Sequence, residues 1–157
     1  MGGSRGFAHL GAIKALEERG IKPNVFSGTS AGSIVAALLA AQKKTPDEIM
    51  EIMKDKKISD ASKITLPVHG FATLDKFGME LDEILRGKDF ADLKHELYIC
   101  ASNLNTGKAE YINSGNGAKA VQASSSIPIL FSPVEINGQL YVDGGLLDNV
   151  PGQPLFS

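Results

Sequence analysis

The segment FSGTSAGS, residues 26–33, decides the fold prediction, because it places Ser30 at the centre of a Gly-x-Ser-x-Gly motif. A short apolar-led run precedes the motif, and an Ala-rich run over residues 34–42 follows it. Strand, sharp turn and helix are the context that a nucleophile elbow requires. Gly28 and Gly32 would let strand and helix approach closely, and the helix N-terminus would favour negative charge beside the serine. The structural alternative is a Gly-rich turn with an N-capping serine.

Composition narrows the class of protein. The 157 residues are 43 % apolar and 22 % charged, which is typical of one ordinary globular domain, here residues 1–157. The net charge of −2 gives no electrostatic reason to expect nucleic-acid binding. The single cysteine, Cys100, excludes an internal disulfide and a cysteine-based metal cluster, and its apolar surroundings favour a core position. No apolar run reaches about 18 residues and no export signal is visible, so a cytoplasmic protein is expected.

The remaining pattern predicts an α/β domain. Helices are expected over residues 8–19 with Gly20 as C-cap, over 34–42, after a capping box at residues 45–48, over 74–85 and over 118–123. Strands are expected over residues 25–27, 97–101, 109–113, 134–136 and 140–142, the last two joined by Asn137-Gly138. Helices and strands interleave first and hairpins gather later, so we expect three layers, α/β/α, with a central mixed, mostly parallel sheet.

A nucleophilic serine needs a base, and the histidines do not supply one in the common order of serine, acid, histidine. The three histidines are His9, His69 and His95, and none follows residue 95. His9 follows a glycine-rich loop and stays open as a base, whereas His95 lies among charged residues and is expected at the surface.

Asp143 is the better candidate for the base. It ends a predicted strand and precedes two glycines, which permit a sharp turn, and strand ends are where α/β folds place site residues. A carboxylate is a weak base in water and a stronger one when it is buried beside apolar groups. The alternative is a turn-forming Asp-Gly pair. Asp148 is expected to cap the same turn without acting on substrate.

Three motifs in order resemble the patatin-like phospholipase family. They are the glycine-rich residues 2–6 (GGSRG), the elbow 28–32 (GTSAG) and the turn 143–145 (DGG). The context around them is similar to the family as well, at residues 8–11 (AHLG), 123–128 (ASSSIP) and 148–151 (DNVP). The resemblance covers nearly the whole chain.

The resemblance implies a serine–aspartate dyad without histidine, in which Ser30 is the nucleophile and Asp143 the base. It also implies an oxyanion hole of backbone N–H groups around Gly2, Gly3, Ser4 and Arg5. The implied activity is hydrolysis of lipid acyl esters through an acyl-enzyme, as in a phospholipase A or a lysophospholipase. Neither a metal nor an organic cofactor is required. The implied partners are a phospholipid or another acyl ester and, peripherally, a membrane surface; the oligomeric state is left open.

The chain departs from the family pattern at its ends. The family places an apolar strand before the glycine loop, whereas Met1 stands almost where that strand should end, and the chain stops soon after the last motif. We therefore expect the domain to lack the first core strand and a C-terminal extension. Two other functions compete with hydrolysis: a catalytically silent lipid- or acyl-binding domain, and an acyltransferase, which differs only in the acceptor of the acyl group.

Overall fold

In a computed structural model, the structure describes residues 6–42, 44–55, 83, 85 and 89–156, and the side chains of residues 6, 7 and 52–55 are not described. The α-helices in this part of the chain are α1 (Gly6–Glu17), α2 (Ala31–Ala40), α3 (Pro46–Asp55) and α4 (Gly117–Ser124). The strands are β1 (Val25–Thr29), β2 (Glu96–Asn103), β3 (Lys108–Ile112), β4 (Val134–Ile136) and β5 (Gln139–Asp143). Short 3₁₀ turns cover Phe90–Asp92, Gly144–Leu146 and Gln153–Phe156. The predicted helix over residues 74–85 falls outside the described residues, except that Glu83 and Leu85 are helical.

Local signals fix several of these boundaries. Gly20 follows α1 with a φ of 77°, as a helix C-cap requires. Thr45 and Glu48 form the predicted capping box at the start of α3, with each side chain accepting the other residue's backbone N–H. Asn137 and Gly138 both have positive φ values, 52° and 76°, which is the conformation of a type I′ hairpin turn between β4 and β5.

The sheet is mixed and flanked by helices, as predicted for a three-layer α/β domain. α2 packs on β1, and α4 packs on β2 and β5 while also contacting α2. Most of the buried apolar side chains come from α2, β1, β2 and α4 and form one cluster. α2 is nearly all buried, since every residue from Ser33 to Ala40 is inaccessible or nearly so. This central helix therefore anchors the residue that precedes it, Ser30.

The expectation of mostly parallel pairing is wrong for the described strands. Of the four pairings among them, only β1 with β2 is parallel; β2–β3, β2–β5 and β4–β5 are antiparallel. For the β2–β3 and β4–β5 pairings, the reason is the chain's turn chemistry. Short turns at residues 104–107 and 137–138 return the chain directly beside the strand it has just left, which gives antiparallel neighbours.

The register of β2 brings two strand ends together. β3 pairs with residues 99–103 of β2, β1 with residues 96–100 and β5 with residues 101–103. Because both β1 and β5 overlap β3 in this register, they lie on the opposite edge of β2, end to end. They run towards each other: β1 ends with Thr29 opposite Cys100, and β5 ends with Asp143 opposite Ala101. The residue that follows β1 and the last residue of β5 are therefore neighbours.

Candidate active site

Ser30 occupies the sharp turn between β1 and α2. Its φ of 56° and ψ of −130° lie in a region that glycine adopts easily and other residues rarely do. The carbonyl of Ser30 accepts hydrogen bonds from the N–H of Ser33 at 2.8 Å and from its hydroxyl at 2.5 Å. These bonds close the first turn of α2 directly on the strained residue. The predicted elbow geometry is present.

The close contact between β1 and α2 depends on one glycine. A Cβ atom on Gly28 would lie 2.5 Å from the carbonyl oxygen of Gly32, so no side chain fits at residue 28. A Cβ on Gly32 would meet no described atom within 4 Å. The sequence-based expectation that both glycines let strand and helix approach thus holds for Gly28, while the contacts among described residues give no such reason for Gly32.

Ser30 donates a hydrogen bond from its Oγ directly to Oδ2 of Asp143, at 2.7 Å. Asp143 is 8 % exposed, and its other carboxylate oxygen accepts the backbone N–H of Gly145 at 2.7 Å. The backbone of Asp143 is held as well, because its N–H donates to the carbonyl of Ser126 and its carbonyl accepts the hydroxyl of Ser102. The carboxylate therefore has a fixed orientation, with one oxygen on the turn and the other on the serine.

The turn after Asp143 lies hard against β2. A Cβ atom on Gly144 would lie 2.2 Å from the carbonyl oxygen of Cys100, so the backbone at residue 144 must be glycine to approach this closely. Cys100 is fully buried, and burial is the main reason that the pKa of its thiol is raised to about 11. As expected from the sequence, Cys100 is a core residue.

Asp148 binds the end of β1. Its backbone carbonyl accepts the hydroxyl of Thr29 at 3.0 Å, one residue before Ser30. Its carboxylate accepts the N–H of Val150 at 3.1 Å, which is the expected turn cap, and the hydroxyl of Tyr111 at 2.7 Å. The hydrogen bond to this carboxylate is the main reason that the pKa of Tyr111 is raised to about 12. The contact with Tyr111 on β3 is long-range in sequence, and no local pattern indicates it.

Neither of the described histidines, His9 and His95, is among the hydrogen-bond partners of Ser30 and Asp143. His9 is exposed on α1. His95, expected at the surface, is partly buried and packs edge-on against Phe26, with ring centroids 5.8 Å apart. His69 and the glycine loop residues Gly2, Gly3, Ser4 and Arg5 lie outside the described residues. Within the described ranges, no group of three or more histidine, cysteine or acidic side chains could hold a metal ion.

Comparison with known proteins identifies the family. The sequence model described as patatin-like phospholipase matches residues 2–156. The chain belongs to the patatin-like phospholipase family. As in the sequence-based resemblance, the match spans the elbow, the aspartate turn and the glycine loop.

Curated relatives of this chain are much longer proteins. Lysophospholipase nte1 of Aspergillus fumigatus is 32 % identical over 157 residues, which cover 95 % of this chain and 10 % of that protein. Lysophospholipase NTE1 of Candida glabrata is 36 % identical over 165 residues, covering 96 % of this chain and 9 % of the relative. The chain thus spans about a tenth of the length of these relatives.

A solved structure shares the fold of this patatin-like domain. VipD from Legionella pneumophila superposes with a TM-score of 0.67 at 20 % identity, covering 96 % of this chain and 45 % of that one. At this identity the likeness concerns the fold alone. In the described part of the domain, no helix combines the length and the apolar character needed to cross a bilayer.

Proposed function

We propose that this patatin-like domain is a serine acyl hydrolase that cleaves acyl esters of lipids, with Ser30 as nucleophile and Asp143 as its base. The observation that carries the proposal is the direct hydrogen bond of 2.7 Å between the two side chains, made from a strained elbow. At this distance no imidazole fits between the hydroxyl and the carboxylate. A nucleophile within hydrogen-bond reach of its base is the arrangement that covalent catalysis requires.

The first step in this mechanism acylates the serine. Asp143 accepts the proton of the Ser30 hydroxyl as Oγ attacks the ester carbonyl carbon, and the carbonyl oxygen becomes an oxyanion. When the tetrahedral intermediate collapses, the bond to the alcohol oxygen breaks and Asp143 returns the proton to the leaving alcohol. The products of this step are a free alcohol and an acyl ester on Ser30. The alcohol is a lysolipid when a diacyl lipid is cleaved, and the head-group portion when a lysolipid is cleaved.

The second step releases the acyl group. Water loses a proton to Asp143 while its oxygen attacks the acyl-enzyme carbonyl, and the proton passes to Ser30 as the fatty acid leaves. An acceptor alcohol in place of water would give acyl transfer by the same steps. Neither step calls on a metal or an organic cofactor.

The oxyanion needs N–H donors other than that of Ser30, because the N–H of Ser30 is already used. It donates to the hydroxyl of Ser124 at 2.9 Å. We assign the donors to the backbone of Gly2, Gly3, Ser4 and Arg5, in keeping with the family pattern, with the N-terminus of α2 adding its dipole. Loss of one such donor typically raises the barrier by about 3–4 kcal/mol.

Two observations support a lipid substrate. The chain is about one third identical to proteins named lysophospholipases. Leu146 and Leu147, in the turn that begins at Asp143, are 61 % and 50 % exposed, so apolar surface lies close in sequence to the proposed base. Exposed apolar groups beside a site favour an apolar substrate or a lipid surface.

The test is reaction of the chain with a fluorophosphonate ester, followed by mass spectrometry of the adduct. We expect one adduct, on Ser30, and none in Ser30→Ala. Asp143→Asn keeps the shape of the side chain but removes the base, and its labelling rate should fall by a factor of about 10³ or more. His9→Ala is the control, and its rate should match that of the wild type.

Two results would contradict the assignment of Asp143 as the base. Undiminished labelling of Asp143→Asn would exclude Asp143 as the base, and loss of labelling in His9→Ala would assign that role to histidine. Absence of any adduct in a folded sample would favour the silent acyl-binding domain. Among labelled samples, release of free fatty acid compared with transfer to an added alcohol separates hydrolase from acyltransferase.

A further inference from the structure

A segment of three consecutive serines, residues 124–126 at the end of α4, is hydrogen-bonded to both residues of the proposed dyad. The hydroxyl of Ser124 accepts the N–H of Ser30 at 2.9 Å and donates to the carbonyl of Cys100 at 2.5 Å. Two residues later, the carbonyl of Ser126 accepts the N–H of Asp143 at 2.9 Å. A single short segment thus binds the backbone of both Ser30 and Asp143.

We propose that Ser124 is a positioning residue for the dyad, acting by holding the strained backbone of Ser30. This inference rests on the proposed function of Ser30 and Asp143 and adds a residue that contacts neither the substrate nor the reacting oxygen. Ser124 is fully buried, and its hydroxyl accepts the N–H of Ser30. Its hydroxyl links the elbow to β2, whose next residue pairs with Asp143.

The backbone strain at Ser30 makes the hydrogen bond from its N–H to Ser124 more important than an ordinary hydrogen bond. A non-glycine residue keeps an unfavourable φ and ψ only when its surroundings over-determine them. In Ser30 the carbonyl is held by Ser33 and the N–H by Ser124, so both sides of the strained residue are fixed. Without the hydroxyl of Ser124, the N–H of Ser30 and the carbonyl of Cys100 each lose this hydrogen bond, and the strained backbone of Ser30 is held less firmly. The Ser30 Oγ would then leave its place beside Asp143.

The neighbouring serines provide matched controls because their hydroxyls do different things. The Ser126 hydroxyl is also buried, but it donates to the carbonyl of Gln122 in α4, and the carbonyl that binds Asp143 survives substitution by alanine. The Ser125 hydroxyl is buried and has no hydrogen-bond partner among the described residues. Ser125→Ala should therefore be neutral or stabilising, and Ser126→Ala should lower stability without affecting the dyad.

The experiment compares Ser124→Ala, Ser126→Ala and Ser125→Ala in the intact chain by hydrolysis of a short-chain nitrophenyl ester. We expect kcat of Ser124→Ala to fall by roughly 10- to 100-fold with KM unchanged, since a small misplacement of a reacting group has effects of this size. The other two variants should keep the wild-type kcat. A purely structural role would lower the melting temperature of Ser124→Ala and Ser126→Ala alike and leave kcat the same in both.

A second measurement does not depend on activity. Hydrogen exchange of the Ser30 amide, followed by NMR, should be slow in the wild type and in Ser126→Ala and fast in Ser124→Ala. If the wild type forms no fluorophosphonate adduct, the proposed function fails, yet the exchange rate still tests whether Ser124 holds the elbow. Equal exchange of the Ser30 amide in Ser124→Ala and Ser126→Ala would overturn the positioning role.

Discussion

Two hydroxyl–carboxylate pairs meet at β5, two residues apart, and their oxygen–oxygen distances are equal. Ser30 donates to Asp143 at 2.7 Å, and Tyr141 donates to Glu110 at 2.7 Å. The first pair sits on a strained turn with a partly exposed serine, whereas Tyr141 is 6 % exposed within a regular strand. A short hydrogen bond is therefore not enough to indicate a reactive site. The backbone that presents the hydroxyl, and its access to solvent, distinguish the two.

The glycines around the two pairs also differ in their roles. Beside the Ser30–Asp143 pair, Gly28 and Gly144 are in contact with other backbone atoms that leave no room for a Cβ. Near the Tyr141–Glu110 pair, Gly107 and Gly138 have positive φ values but open space around the Cβ position. Glycine thus serves close packing at the first pair and turn conformation at the second. The difference predicts unequal sensitivity to substitution.

The largest effect on stability is expected for Gly144→Ala. Its Cβ would lie 2.2 Å from the carbonyl oxygen of Cys100, and backbone atoms cannot yield as a flexible side chain does. We expect the free energy of unfolding to fall by about 3–5 kcal/mol. Gly138→Ala changes only a residue with a φ of 76° and should lower it by about 1 kcal/mol. Urea unfolding followed by circular dichroism measures both.

Equal losses of stability in Gly144→Ala and Gly138→Ala would contradict this prediction. The packing of residue 144 against β2 would then be looser than the distances indicate. Gly107→Ala, with a φ of 68° and open space, is the second control and should behave like Gly138→Ala.

Tyr141→Phe tests the pair that we regard as structural. Burial, and then the hydrogen bond to Glu110, raise the pKa of Tyr141 to about 12, above the ordinary value of 10. A raised pKa in the folded state means that the stability due to this group is fully present below pH 10 and is lost as the pH rises towards 12. At pH 8 the variant should be less stable by about 1–2 kcal/mol. Its fluorophosphonate labelling rate should equal that of the wild type.

The pH dependence sharpens this test. The stability difference between Tyr141→Phe and the wild type should narrow between pH 10 and pH 12, as measured by urea unfolding at each pH. Tyr111, whose pKa is also raised to about 12, titrates in both proteins and so drops out of the difference. A difference that stays constant over this range would show that folding does not raise the pKa of Tyr141, and a labelling rate below that of the wild type would show that this pair contributes to the active site.

Features fixed by a few neighbouring residues were predictable from the sequence. The Ser30 elbow, the capping box at Thr45 and the Asn137-Gly138 turn each depend on bonds or dihedral angles within about four residues. The local order of residues is enough to predict such features.

Long-range pairing was not predictable in the same way. Asp143 meets Ser30 because β1 and β5 share one edge of β2, and this register depends on strand pairings between residues 71 apart for β1–β2 and 38 to 42 apart for β2–β5. The resulting contact joins residues 113 apart in sequence. The residues alone made Asp143 the better candidate for the base of Ser30 while His9 stayed open, and the resemblance to the family then implied a dyad without histidine. Ser124 lies in the segment 123–128 that is similar to the family, but nothing in that segment indicated its contact with Ser30, since a buried serine at a helix end resembles many structural serines.

The smallest expected effect is the difference in stability between Ser30→Ala and Ser30→Gly, which reports the backbone strain at Ser30 apart from its reactivity. Neither Ser30→Ala nor Ser30→Gly has a hydroxyl, so neither should form a fluorophosphonate adduct. They differ in the dihedral angles that they tolerate, because a φ of 56° with a ψ of −130° is unfavourable for alanine and free for glycine. We expect Ser30→Gly to be more stable than Ser30→Ala by about 1 kcal/mol, the strain relieved being partly offset by the greater entropy of glycine in the unfolded chain.

Asn137, in the hairpin turn, is the control that shows whether this result is specific to the elbow. Asn137 has nearly the same φ, 52°, but asparagine adopts such values readily, so its backbone stores less strain. Exchange of Asn137 for glycine should therefore change stability less than the difference between the two Ser30 variants, as read from urea midpoints. If Ser30→Ala proved as stable as Ser30→Gly, the elbow would carry no strain. The contrast between Ser30 and Tyr141 would then rest on solvent access alone.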